Sequence, residues 1–119
     1  MSRFEAKVTR DGPASGSVVA FVGELDIAAA EEAWAALDPL LVPAGVVVVD
    51  ASALQFLDSS GLRVLARAIR RADESGAKLR LAAPHQAVQR VLELAGAQTL
   101  IETFDSVDAA FAAQRITGA

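Results

Sequence analysis

The chain of 119 residues has no cysteine and no tyrosine, and only one histidine, one tryptophan and one methionine. Without cysteine there is no disulfide, no thiol nucleophile and no thiolate metal site, a composition that fits a cytoplasmic setting. The lone histidine, His85, cannot assemble a typical zinc site; following Pro84, it belongs at the start of a helix. An excess of positive charge is also missing. Eleven Lys and Arg stand against fifteen Asp and Glu, a net charge of −4, whereas nucleic-acid binding ordinarily needs a basic face. The longest apolar stretch, Leu40 to Val49, is broken by Pro43 and Gly45. It falls well short of the ~18 residues of a membrane span, so no membrane partner is expected. Met1 to Glu5 contain one Arg and no apolar block, and predict no signal peptide. No phosphate-cradling glycine motif occurs, and Ser60-Gly61 lacks the first glycine of a nucleophile elbow. These absences predict a protein without catalytic residues, metal or cofactor, and not an enzyme.

What is present suffices for one core. Hydrophobic residues make up 53% of the chain against 22% charged, which predicts one globular domain over residues 1–119. Phe4, Ala6 and Val8 alternate with polar residues as in a half-exposed strand, and turn formers from Asp11 to Gly16 lead to a second strand, Val18 to Val22. Ala30, Ala33, Trp34, Leu37 and Leu41 then follow the helical period, with Pro39 disturbing the last turn. Val46 to Val49 is a short β-branched run ending at Asp50, as in a central strand buried on both faces.

Leu62, Leu65, Ile69 and Ala72 form the stripe of a second helix, stopped at Gly76. Lys78 to Ala82 predicts an alternating strand, and Ala87 to Ala95 a third helix ending at Gly96. Leu100-Ile101 predicts a short strand, and Asp105 the cap of a last helix. The order β-β-α-β-α-β-α-β-α requires crossovers and partly parallel pairing. The fold class is α/β: a four- to five-stranded mixed sheet with about four helices packed mainly on one side.

Asp26, Asp50 and Asp58 lie at strand ends or helix starts, where an open α/β sheet places functional groups. Their ordinary role there is to cap or turn the chain. A phosphoaspartate receiver centred on Asp50 is disfavoured, because the first strand is followed by no acidic pair and Lys78 begins a strand. Asp58-Ser59-Ser60-Gly61 is the most informative segment. It opens an amphipathic helix, where Asp or Ser caps a backbone N–H. A serine there is exposed beside unpaired N–H groups and the positive end of the helix dipole. Phosphorylation would leave such a fold intact and repel a partner pressed against it.

Gly23-Glu24-Leu25-Asp26, Asp50 after its strand, and Phe56-Leu57-Asp58-Ser59-Ser60-Gly61-Leu62 resemble the anti-sigma factor antagonists of the STAS domain family. So do Gly76 to Leu81, Val91 to Gly96 and Phe104 to Ala110, so the resemblance covers nearly the whole chain. It implies a partner switch. The unphosphorylated antagonist binds an anti-sigma factor, itself a serine protein kinase, and the sigma factor is released. Phosphorylation of the first serine of the loop, Ser59, abolishes binding, and a metal-dependent serine phosphatase reverses it.

The resemblance implies Asp26, Asp58, Ser59, Ser60 and Gly61 as contact residues; Arg63, a departure from the family, is added to them as a basic contact for an acidic partner, and the free protein is expected to be a monomer. Many members carry a small or apolar residue where Arg63 stands; here Arg63, Arg67 and Arg70 form a stripe whose ordinary role is a solvated face with an Arg70–Glu74 pair. Other STAS subunits serve motility or biofilm phosphorelays or lipid-transport complexes, which is the alternative function.

Overall fold

A computed structural model describes residues 3–10 and 16–117. The alternation at the N-terminus gives strand β1 (Phe4–Arg10), paired antiparallel with β2 (Ser17–Leu25) from Phe4↔Gly23 to Arg10↔Val18. The turn expected between them falls on residues 11–15, outside the described residues. On its other side β2 pairs in parallel with β3 (Val46–Asp50), which pairs with β5 (Lys78–Ala82), and β5 with β6 (Glu102–Phe104). The order is β1-β2-β3-β5-β6. A sixth strand, β4 (Leu54–Leu57), pairs with the far end of β2, beyond β3. The sequence expectation of four or five strands omitted β4, whose four residues are too few to show a period.

Four helices connect or follow the strands: α1 (Ala30–Leu37), α2 (Ser59–Ser75), α3 (Gln86–Leu94) and α4 (Val107–Thr117). Pro39 lies in a 3-10 turn, Asp38–Leu40, that ends α1. Gly76 ends α2 in the left-handed conformation, φ 80°, where a side chain would be strained. Two expectations near the C-terminus are corrected. Leu100-Ile101 is not a strand; the strand follows at Glu102–Phe104. The α4 cap is Ser106, whose Oγ accepts from Ala109 N at 3.0 Å, and not Asp105.

The period of two along each strand sorts the core into two layers. Val19, Phe21, Leu25, Val47, Val49, Leu79 and Leu81 face α1, α2 and α3. Val18, Val46, Val48 and Ala82 face the opposite way and are covered by Ala110 and Phe111 of α4. Three helices thus share one face, with α4 alone on the other. Val46 to Val49 are buried throughout, as expected of a central strand. Each such Val, Leu or Phe contributes roughly 1.5–3 kcal/mol by burial.

Arg80 departs from this pattern. The alternation of β5 puts Arg80 on the face opposite Leu79 and Leu81, and α4 covers that face and leaves Arg80 only 2% exposed. Its Nε lies 3.5 Å from Glu102 Oε1 on the neighbouring strand, and neither Nε nor Nη1 has a hydrogen-bond partner among the described residues. At the sheet edge, β1 donates Ala6 N to Glu32 Oε2 of α1 at 3.2 Å, which satisfies one otherwise open edge group.

Candidate functional site

Strands β2 and β4 run parallel with Leu25 opposite Leu57, so Asp26 and Asp58 leave the sheet side by side. Asp58 N donates to Leu25 O at 3.3 Å, holding the two exits together. Each aspartate then turns its chain. Asp58 Oδ1 accepts from Ser60 N at 2.8 Å and Gly61 N at 3.2 Å, making Asp58 the N-cap of α2. Asp26 Oδ1 accepts from Ala28 N at 3.1 Å and Ala29 N at 3.2 Å ahead of α1. Asp50 does the same after β3, accepting from Ser52 N at 3.0 Å. All three aspartates therefore perform the capping and turning role that short carboxylates favour at such positions.

This geometry fixes the Asp58-Ser59-Ser60-Gly61 loop. Gly61 is buried, and a Cβ on it would lie 2.8 Å from Leu25 O and 2.9 Å from Leu57 Cβ. The start of α2 thus rests directly on the end of β2. Ser59, the first residue of α2, is exposed, while Ser60 is half-buried and turned toward α1. Sequence reasoning placed the Ser59 hydroxyl beside unpaired helix N–H groups. The structure corrects this in part, because the Asp58 carboxylate already occupies two of them.

Between α1 and α2 lies a shallow pocket of about 220 Å³, lined among others by Ile27, Glu31, Trp34, Ser60, Arg63 and Arg67. Ile27 is 78% exposed, and the Arg67 guanidinium stacks 3.8 Å above the Trp34 ring. That stacking is worth roughly 0.5–1 kcal/mol at an exposed site and joins α2 to α1. The arginine stripe is therefore divided. Arg63 and Arg67 border the pocket, whereas Arg70 lies outside it and forms no ion pair with Glu74 among the described residues. Arg71 reaches Asp38 instead, at 3.6 Å.

Of the six residues the sequence singled out, Asp26, Asp58, Ser59, Ser60 and Gly61 converge on one end of the sheet, with Arg63 one turn along α2. Sequence reasoning missed Ile27 and Trp34 as surface elements beside them, and also Phe56 in β4, 48% exposed. A signal was available for Ile27: a large apolar residue directly after a capping aspartate, off the α1 stripe. Trp34 gave none, since its spacing fits the core. Along α2 stand Arg63, Arg67 and Arg70, followed directly by Arg71, with no carboxylate from Ser59 to Ala72. A chain of net charge −4 thus presents a locally basic helix.

A sequence profile of the STAS domain matches residues 5–110. Among proteins of curated function, none matches the sequence. Several solved structures share the fold. An anti-sigma factor antagonist from Mycobacterium paratuberculosis is 25% identical, with 94% of each chain covered and a TM-score of 0.74. The Bacillus cell fate determinant SpoIIAA in its phosphorylated form is 20% identical over 95% of this chain and 98% of its own, at a TM-score of 0.65. A sulfate transporter family protein from Wolinella succinogenes is 17% identical over 90% of each chain, at a TM-score of 0.77.

Proposed function

Because this chain belongs to the STAS domain family, we propose that it is an anti-sigma factor antagonist switched by phosphorylation of Ser59. Unphosphorylated, it binds an anti-sigma factor that is also a serine protein kinase, and the sigma factor is set free. The kinase transfers the γ-phosphoryl group of ATP to Ser59 Oγ, releasing ADP and the hydroxyl proton. A metal-dependent serine phosphatase hydrolyses the ester, returning the serine and inorganic phosphate. The chain contributes a surface and an acceptor to this cycle, in the cytoplasm, and no catalytic group. Asp26, Asp58, Ser60, Gly61 and Arg63 form the contact surface around Ser59.

The observation that carries this reading is the exposure of Ser59 between two fixed points. Asp58 is held by the N–H groups it caps, and Gly61 by its contact with Leu25. A kinase can therefore reach the hydroxyl without unfolding its support. Phosphorylation adds roughly −1.5 to −2 charges, which a docked partner meets as repulsion and desolvation. A loss of ~3 kcal/mol lowers affinity by more than a hundredfold.

Incubation with the cognate kinase and ATP, followed by peptide mass mapping, is expected to place phosphate on Ser59. Ser59→Asp should lose at least a hundredfold in affinity for the kinase with an unchanged circular dichroism melt, while Ser59→Ala binds normally. Phosphate found reproducibly at another residue would remove Ser59 from the cycle. Equal binding by the two variants would exclude charge repulsion. Recovery of a transporter ATPase in place of a kinase, on affinity purification from the native host, would move the domain to the lipid-transport alternative.

A further inference from the structure

Resting on Ser59 as the phosphoacceptor, we propose that Arg63 holds the Ser59 phosphate in cis, so that one modification both adds negative charge to the contact surface and withdraws a cation from it. The need for such a partner follows from the cap. The helix terminus supplies only part of the compensation, because Ser60 N and Gly61 N already donate to Asp58 Oδ1. A phosphate on Ser59 instead meets that carboxylate as a like charge next to it in sequence. Asp26 stands at the adjoining strand end and Glu31 lines the neighbouring pocket on α1, so the surroundings on the sheet side and the α1 side are acidic.

The cations are on α2 itself. Ser59 is the first residue of this helix and Arg63 lies four residues on, the spacing at which two side chains stand one above the other on one face. Arg63 is exposed and has no ion pair among the described residues. Arg67, the next cation on the stripe, is stacked on Trp34 and less free to turn. The planar guanidinium suits a phosphate better than a lysine ammonium does, because it can donate two parallel hydrogen bonds. In the unphosphorylated protein the same guanidinium borders the pocket with Ile27 and Ser60, where it faces a docking partner. Pairing with the phosphate draws it away from that position.

The test places phosphoserine genetically at position 59 and follows the second ionisation of the phosphate by phosphorus-31 NMR. A cation that prefers the dianion lowers this ionisation. In the otherwise unaltered phosphoprotein it should lie below that of the Arg63→Gln phosphoprotein by roughly half a pH unit, as for a partly exposed charge pair. Arg63→Lys should restore part of the difference. Arg70→Gln, further along the stripe and outside the pocket, should leave the titration unchanged. Coincident titrations of the Arg63→Gln and unaltered phosphoproteins would overturn the pairing, as would an equal shift from Arg70→Gln, which would signal a general field. Neither result depends on which residue the native kinase selects, so failure of this pairing is distinguishable from failure of Ser59 as the acceptor.

Discussion

A methyl group added at Gly61 would come within 2.8 Å of Leu25 O and 3.0 Å of Leu25 Cγ, contacts that real side chains do not tolerate. Neither neighbour can give way cheaply. The carbonyl belongs to β2 and accepts from Asp58 N, and the Leu25 side chain is fully buried. Relief therefore requires α2 to slide outward, carrying Ser59 and Ser60 with it. Gly61→Ala is expected to destabilise the fold by about 1–3 kcal/mol, the range for overpacking a tight contact. Urea unfolding measures that loss. Affinity for the partner, measured under conditions where the variant is fully folded, should also fall, because the loop that presents Ser59 has moved. An unchanged midpoint with unchanged affinity would mean that the contact relaxes without displacing the loop. The reason for glycine here was not legible in the sequence, where Gly61 reads simply as part of a turn.

The elements differ in how plainly their residues announce them. The helical periods of α1, α2 and α3 and the valine run of β3 each dictate their own structure, because one periodicity dominates over at least one full turn or pleat. β4 and β6 do not, at four and three residues; their pairing comes from the strands beside them and not from local preference. β5 was legible as a strand, yet the side on which Arg80 would be buried was not, since that depends on α4, a partner distant in sequence. Arg80 also yields a prediction at this scale. A guanidinium that is 2% exposed, with one carboxylate at 3.5 Å and that carboxylate itself largely solvated, recovers little of its desolvation cost. Arg80→Met keeps the unbranched stem and removes the unsatisfied nitrogens. Its stability should match or exceed that of the parent, within about 1 kcal/mol, by urea or thermal unfolding. A loss of several kcal/mol would reveal Arg80 as an essential tie between β5 and β6.

At the scale of the whole molecule the sheet separates two jobs. On one face, α1, α2 and α3 pack over the larger core and set the loop with Ser59 at the carboxyl ends of β2 and β4. On the other, α4 is the one helix among the described residues that covers Val18, Val46, Val48 and Ala82. The convergence of Asp26 with Asp58 was legible only through family resemblance; in the structure it follows from parallel pairing of β2 with β4, which no local pattern encodes. The same separation makes the two faces energetically distinguishable. Phe111 is 7% exposed, lies under the Arg10 guanidinium at 4.6 Å and anchors α4 to this second core. Phe111→Ala should lower global stability by about 3 kcal/mol, the low end for losing a buried aromatic ring. Its effect on partner affinity should be negligible in the folded population, because α4 meets β2 at Val18, at the opposite end of that strand from Leu25, and effects at separated sites add. Combined with Gly61→Ala, the two stability losses should therefore sum to within about 0.5 kcal/mol. Denaturant unfolding of the single and double variants measures that sum directly. A large deviation would show that the sheet transmits strain from α4 to the loop that carries Ser59.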